Sequence, residues 1–177
     1  MPVRAEQWIP AFAGMTKTGF AWPRPSRKRH RTPPPASRYN RGTRMTDVPH
    51  QPTRFADLVG YRLAVWRDGH AEIALALGAQ HLNRIGRLHG GVLATLIDTA
   101  CGYAGTFAVD GRPRNALTLA LTTQFLAPAH AGQLLTATGR RTGGGRRIFF
   151  AAAEVHDEAG RLIARGDGTF RYSGEGG

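Results

Sequence analysis

One apolar stretch at helical spacing, set among strand-like segments, limits most strongly what this chain can fold into. Val92, Leu93, Leu96, Ile97, Ala100, Ala104 and Phe107 recur at steps of mostly three and four residues. The spacing predicts a single helix over 92–109, ~27 Å long at 1.5 Å per residue. Ahead of it, Phe55, Leu58 and Val59 suit a short helix over 54–59. Tyr61, Leu63 and Val65 then alternate with Arg62, Ala64 and Trp66, Asp68-Gly69 marks a hairpin turn, and Ala71, Ile73, Leu75 and Leu77 alternate again. A polar loop covers 78–90. Four strand-like segments follow the long helix, at about 115–127, 132–141, 146–157 and 161–172. One long helix among six antiparallel strands suits an α+β domain whose sheet wraps the helix. A curved sheet around one helix leaves an edge strand and part of the helix uncovered, and pairing with a second copy is the usual remedy.

The formal charge of +12 does not spread over this pattern. Residues 1–44 hold ten Lys/Arg against one acid, whereas 45–177 hold fourteen Arg against eleven acids. Basicity therefore belongs to the first quarter and does not mark a nucleic-acid-binding face. Residues 1–44 read as an unstructured basic extension, because Trp22-Pro-Arg-Pro and Thr32-Pro-Pro-Pro interrupt helix and strand alike. Trp8-Ile-Pro-Ala-Phe-Ala-Gly-Met-Thr16 resembles the product of a translated bacterial intergenic repeat, and both lysines of the chain lie in the extension. The expectation is a translation start placed too early, with the native chain beginning at Met45 and a single domain over 45–177.

From Met45 onward there is no lysine, one serine (Ser173) and one cysteine (Cys101). That removes Schiff-base and P-loop lysines, and no G-x-S-x-G occurs. A lone cysteine makes no internal disulfide and fits a reducing, cytoplasmic compartment. The seven histidines show no metal-ligand spacing, so no metal is implied. The long apolar stretch carries Asp98 and two glycines, which marks a buried helix rather than a membrane span.

Asp98 is the only carboxylate in that stretch. A carboxylate placed there needs partners, a changed protonation state or a cavity to face. It is either a member of a structural hydrogen-bond network or a general base or nucleophile in a cleft. His89-Gly90-Gly91 opens the helix, where free N–H groups bind anions and glycine lets a carbonyl approach the backbone. Taken alone, the same tripeptide is an ordinary loop-to-helix turn, His89 a structural histidine and Asn83 a loop residue. Gly90 and Asp98 are eight residues apart, or ~12 Å along one helix. If both act at one carbonyl, Asp98 must come from a second subunit, and the site spans a dimer interface. Arg140-Arg-Thr-Gly-Gly-Gly-Arg-Arg147 is either a solvated hairpin or a clamp for phosphate oxygens built from Arg141, Gly145, Arg146 and Arg147.

The segment His81-Leu-Asn83-Arg-Ile-Gly86-Arg-Leu-His89-Gly90-Gly91-Val-Leu-Ala-Thr-Leu-Ile-Asp98-Thr-Ala resembles the signature of hotdog-fold acyl-CoA thioesterases, in the phenylacetate-degradation (PaaI-like) branch. The resemblance covers about 50–172. It implies a helix wrapped by an antiparallel sheet of five to six strands, homodimers that pair into homotetramers, and hydrolysis of an acyl-CoA to the acid and coenzyme A. By position, Gly90 resembles the oxyanion-hole donor, and Asp98 the catalytic carboxylate from the opposing subunit. Asn83 and His89 resemble substrate- and water-positioning residues, and Thr118 falls where relatives place a Ser or Thr beside the nucleophilic water. The Arg-Gly hairpin falls where relatives contact the nucleotide of coenzyme A. No cofactor is implied beyond the coenzyme A carried by the substrate, nor a membrane partner. Leu93, Tyr103, Phe107 and Phe125 are candidate pocket residues, compatible with aryl or medium-chain acyl groups. The alternatives are an enoyl thioester hydratase or dehydratase on the same fold and a non-catalytic acyl-CoA-binding protein. The His-Gly-Gly…Asp spacing argues against the first, and 1–60 offers no helix-turn-helix for a regulator of the second kind.

Overall fold

The structure, a computed structural model, describes residues 54–107 and 114–173. The basic extension over 1–44 and the start expected at Met45 lie outside the described residues. A short helix α1 (Arg54–Val59) precedes the hairpin β1 (Arg62–Arg67) and β2 (His70–Ala76). The long helix α2 (Gly90–Thr106) follows, then β3 (Asn115–Phe125), β4 (Leu134–Gly144), β5 (Ile148–Asp157) and β6 (Leu162–Ser173). The hairpin turn falls at Asp68-Gly69, with Gly69 at φ 66°, a conformation glycine adopts without cost.

Helix α2 begins two residues before Val92 and ends at Thr106, short of Val109. Its start is set by His89, whose backbone is extended and whose Nδ1 accepts the Gly91 N–H at 2.9 Å. Its end is set by Phe107, which is again extended. Leu93, Leu96, Ile97, Ala100, Cys101 and Ala104 form the buried stripe, the three-and-four spacing of an amphipathic helix. Each of the larger side chains contributes ~1.5–3 kcal/mol by leaving water.

All six strands form one antiparallel sheet in the order β1-β2-β4-β5-β6-β3. This is the helix-in-sheet hotdog arrangement. Ile73, Leu75, Leu135, Ala137, Phe149, Ala151, Val155, Ala164 and Phe170 supply the concave face against α2. The helix lies very close to the sheet. A Cβ on Gly139 of β4 would stand 2.1 Å from the carbonyl oxygen of Ala100, so only glycine fits there.

Strand β3, the next element after the helix, docks beside β6, with Asn115 opposite Ser173 and Phe125 opposite Ala164. It is an eleven-residue edge strand, with Leu117 52% and Leu119 54% exposed. Next to it Asp98, Thr99 and Gly102 of α2 are only half-buried. The uncovered helix face and the uncovered edge adjoin.

Candidate active site

The loop ahead of α2 is built by Asn83 and His81. The Oδ1 of Asn83 accepts the N–H groups of Ile85 and Arg87 at 3.0 and 3.1 Å, which folds residues 83–87 into a tight turn. The buried His81 accepts the Gly78 N–H at Nδ1, while its Nε2 is 2.7 Å from the Val59 carbonyl, a placement that makes Nε2 the donor. The His89 N–H donates to the His81 carbonyl. His81 therefore fixes where His89 stands, a role its spacing alone did not reveal. Asn83 spends its carbonyl oxygen on the turn, so only its amide nitrogen remains to meet a ligand.

His89 is exposed and caps the helix. With Gly91 bonded to His89, and Val92 to the His89 carbonyl, the Gly90 N–H has no acceptor among the described residues. Gly90 itself lines a cavity of about 350 Å³, together with Leu88, Leu93 and residues 125–129. A Cβ at residue 90 would stand 3.1 Å from the Phe125 ring. Glycine thus leaves the Phe125 ring in place. Leu93 and Phe125 line this cavity as the sequence led one to expect. Tyr103 and Phe107 instead pack edge-on against Trp66, at 5.2 and 5.6 Å between ring centroids.

Asp98 is half-buried on the open side of α2. Its Oδ1 accepts the Thr118 hydroxyl at 2.8 Å. The structure thus brings together Asp98 and Thr118, twenty residues apart, beside the uncovered β3 edge. Gly90 lies two turns away on the same helix.

The Arg-Gly hairpin lies elsewhere. Arg141, Gly145, Arg146 and Arg147 are exposed at the β4–β5 turn. The Gly145 N–H is used within the turn, donating to the Ile148 carbonyl at 2.7 Å. Tyr172 donates its N–H to the Arg147 carbonyl and its hydroxyl to the Gly105 carbonyl, both at 2.9 Å. Arg114 lies 3.3 Å over the Tyr172 ring and donates to the Arg146 carbonyl at 3.0 Å. These bonds tie the hairpin to the C-terminal end of α2. Gly90 is at the other end, ~22 Å away for fifteen residues of helix. Within one chain the structure does not bring the hairpin and Gly90 together. Arg114, which holds the hairpin carbonyls, follows no motif and was not singled out by sequence. Among the described residues no group of His, Cys, Asp and Glu side chains could hold a metal ion, and no helix is long and apolar enough to cross a membrane.

Comparison with known proteins bears on this geometry. Residues 85–164, which carry the helix and most of the sheet, match the thioesterase superfamily. The acyl-coenzyme A thioesterase PaaI of Escherichia coli is 30% identical over 109 residues, 62% of this chain and 75% of that protein. The chain belongs to the thioesterase superfamily. By that membership it is a thioester hydrolase. Mouse acyl-coenzyme A thioesterase 13 is 32% identical over 91 residues, 51% of this chain and 64% of its own. The solved structure of the E. coli PaaI protein superposes with a TM-score of 0.63 at 29% identity, covering 69% of this chain and 86% of that one. A hypothetical thioesterase protein of Streptococcus pneumoniae solved with coenzyme A superposes with a TM-score of 0.58 at 25% identity, covering 64% of this chain and 86% of that one.

Proposed function

We propose that this thioesterase hydrolyses an acyl-CoA, with an aryl or medium-chain acyl group, at a site shared between two copies. The observation that carries the reading is the unpaired Gly90 N–H, at the start of a helix and on a residue that lines a cavity, on the helix that also holds Asp98 with its Thr118 partner. A thioester carbonyl against that N–H would develop its negative charge where a fixed donor awaits it. Thr118 occupies one oxygen of Asp98, which leaves the other to take a proton from water. The water oxygen attacks the carbonyl carbon, the oxyanion accepts from Gly90, and the C–S bond breaks with its electron pair going to sulfur. Coenzyme A leaves as a thiolate, so no strong general acid is needed. In this reading His89 and the amide of Asn83, on the loop that opens the helix, orient substrate and water.

Eight residues separate Gly90 from Asp98, ~12 Å along the axis, more than one acyl carbon can bridge. The exposed β3 edge, beside the open face of α2, supports antiparallel pairing with a second copy. Such pairing turns the two helices in opposite directions and brings each Gly90 toward the partner's Asp98. It also carries the hairpin of one chain, with Arg146 and Arg147, toward the Gly90 end of the other, where it would clamp phosphates.

Thiol release across a panel of acyl-CoA esters tests the reading. Asp98→Asn should keep the fold and lower turnover by roughly 10²–10⁴-fold, the range for a lost acid–base group. Near-normal turnover by the purified variant would make Asp98 structural. Hydration of an enoyl-CoA without thiol release, or tight binding without turnover, would replace the reading. A single turnover in ¹⁸O-water tests base against nucleophile: water activated by Asp98 puts the label in the product acid, whereas an Asp98–acyl anhydride opened at the Asp98 carbonyl leaves the label on Asp98 and none in the product.

A further inference from the structure

Two residues that adjoin the lining of the Gly90 cavity along the chain form a pair that the sequence did not announce. Leu88 and Ala129, which line the cavity, are bonded through Leu88 N–H and the Ala129 carbonyl at 3.0 Å. Their outer neighbours are Arg87 and His130, both exposed. Arg87 Nη1 is 2.9 Å from His130 Nδ1 and 3.4 Å from Nε2. The shorter contact makes Nδ1 the acceptor and puts the ring proton on Nε2. Arg87 has no carboxylate partner among the described residues. The other charges nearby are already engaged. Arg161 donates to Asp157 and to the Pro128 carbonyl, and Glu158 accepts the Leu134 N–H. Gln133 fixes the His130 backbone from the other side, accepting its N–H at 2.8 Å.

An arginine paired only with a neutral imidazole keeps its charge and most of its donors uncommitted. The imidazole adds one more N–H. Donors of this kind, side by side on residues that adjoin a cavity's lining, are chemically matched to an anionic group bearing two or three oxygens. Partial burial, then the positive charges of Arg87 and Arg161, hold the His130 imidazole below its ordinary value and so keep it neutral.

We propose that Arg87 and His130 form an anion site that holds an oxyanion of the thioester substrate at the mouth of the Gly90 cavity. The shared chemistry is a phosphate of coenzyme A or a carboxylate at the far end of the acyl group. The site is separate from the Arg146–Arg147 hairpin, which lies at the opposite end of α2 in the same chain. It rests on the reading of the Gly90 cavity as the thioester site.

The test uses the full-length protein and the variants Arg87→Gln and His130→Asn. KM is measured for three substrates: a neutral acyl-CoA, the same acyl group on N-acetylcysteamine, and a dicarboxylic half-thioester of N-acetylcysteamine. If the site holds phosphate, Arg87→Gln raises KM for the acyl-CoA about tenfold more than for the neutral short thioester. If it holds carboxylate, the extra rise appears with the dicarboxylic thioester. Equal changes on all three overturn the proposal. A second readout does not depend on turnover. An anion beside the ring favours the imidazolium, so coenzyme A, or glutarate in the carboxylate case, should move the His130 NMR titration to higher pH, and Arg87→Gln should reduce that movement. A His130 titration indifferent to both ligands overturns the site even if the protein hydrolyses acyl-CoA. A protein inactive on every thioester, whose His130 still responds, would overturn the hydrolytic reading and leave the anion site standing.

Discussion

A single hydroxyl donor governs the Asp98 carboxylate. Thr118 reaches it from β3 at 2.8 Å, and the bond fixes which oxygen remains free. Replacing Thr118 with Val keeps the branched shape and deletes the donor. Turnover should fall about tenfold, as for one lost hydrogen bond to a charged group, while Thr118→Ser should retain most of it. Equal loss in both variants would assign Thr118 to packing. Cys101, three residues along the helix, lies on the buried stripe. Burial, then the negative charges of Asp98 and Asp167, push its thiol up to about 12. The folded protein should therefore stay unmodified by a disulfide reagent at pH 8 and react once unfolded in urea. A thiol-release assay then reads coenzyme A alone, and rapid labelling of the folded protein would contradict the burial.

Turns and edges decide the elements. The β5–β6 turn closes on Asp157, whose Oδ1 accepts the N–H groups of Ala159 and Arg161 at 3.1 and 2.9 Å, while Arg161 Nε reaches Oδ2 at 3.2 Å. The Arg161 N–H, helped by the other donors and opposed by burial, lowers the Asp157 carboxyl below its ordinary value. A carboxylate lowered on folding stabilises the fold above its unfolded value near ~4 and ceases to do so as pH falls through the folded value. Asp157→Asn should therefore lower the urea midpoint at pH 7, and the gap to the parent should shrink below pH ~4. An equal gap at pH 7 and pH 3 would show that the turn depends on shape rather than charge. The neighbouring β4 shows a different constraint, since Gly139 lets the Ala100 turn of α2 touch the sheet.

At the scale of the whole molecule, the proposed site needs two chains. Asp98→Asn and Gly90→Pro, the second lacking the donor N–H, should each be inactive. Unfolded, mixed and refolded together, they pair at random, so about half the dimers are mixed. Each mixed dimer has one site with both defects and one with neither. Activity should recover to about one quarter of the parent's, a figure that follows from two-fold symmetry. Zero recovery with heterodimers demonstrated by mass spectrometry would refute sharing. Circular dichroism on Gly90→Pro guards against a disturbed helix start, because a substituent at residue 90 meets the Phe125 ring. The same mass measurement shows whether dimers pair into tetramers.

The sequence by itself determined the order of elements, the single long helix and the loop that opens it, because these are written in local periodicity. Alternating apolar residues mark strands, three-and-four spacing marks α2, and His89-Gly90-Gly91 marks its start. The distance between Gly90 and Asp98 also followed from helical rise alone. What the periodicity does not carry is strand order. Nothing local says that β3 pairs with β6 rather than β4, yet that pairing leaves β3 at the edge of the sheet, where Thr118 reaches Asp98. Nor does local pattern join Arg87 to His130, forty-three residues apart, or separate the Arg146–Arg147 hairpin from Gly90 by the length of α2. Those relations arise when the sheet closes around the helix, because packing chooses among strand neighbours that hydrogen-bond the backbone equally well.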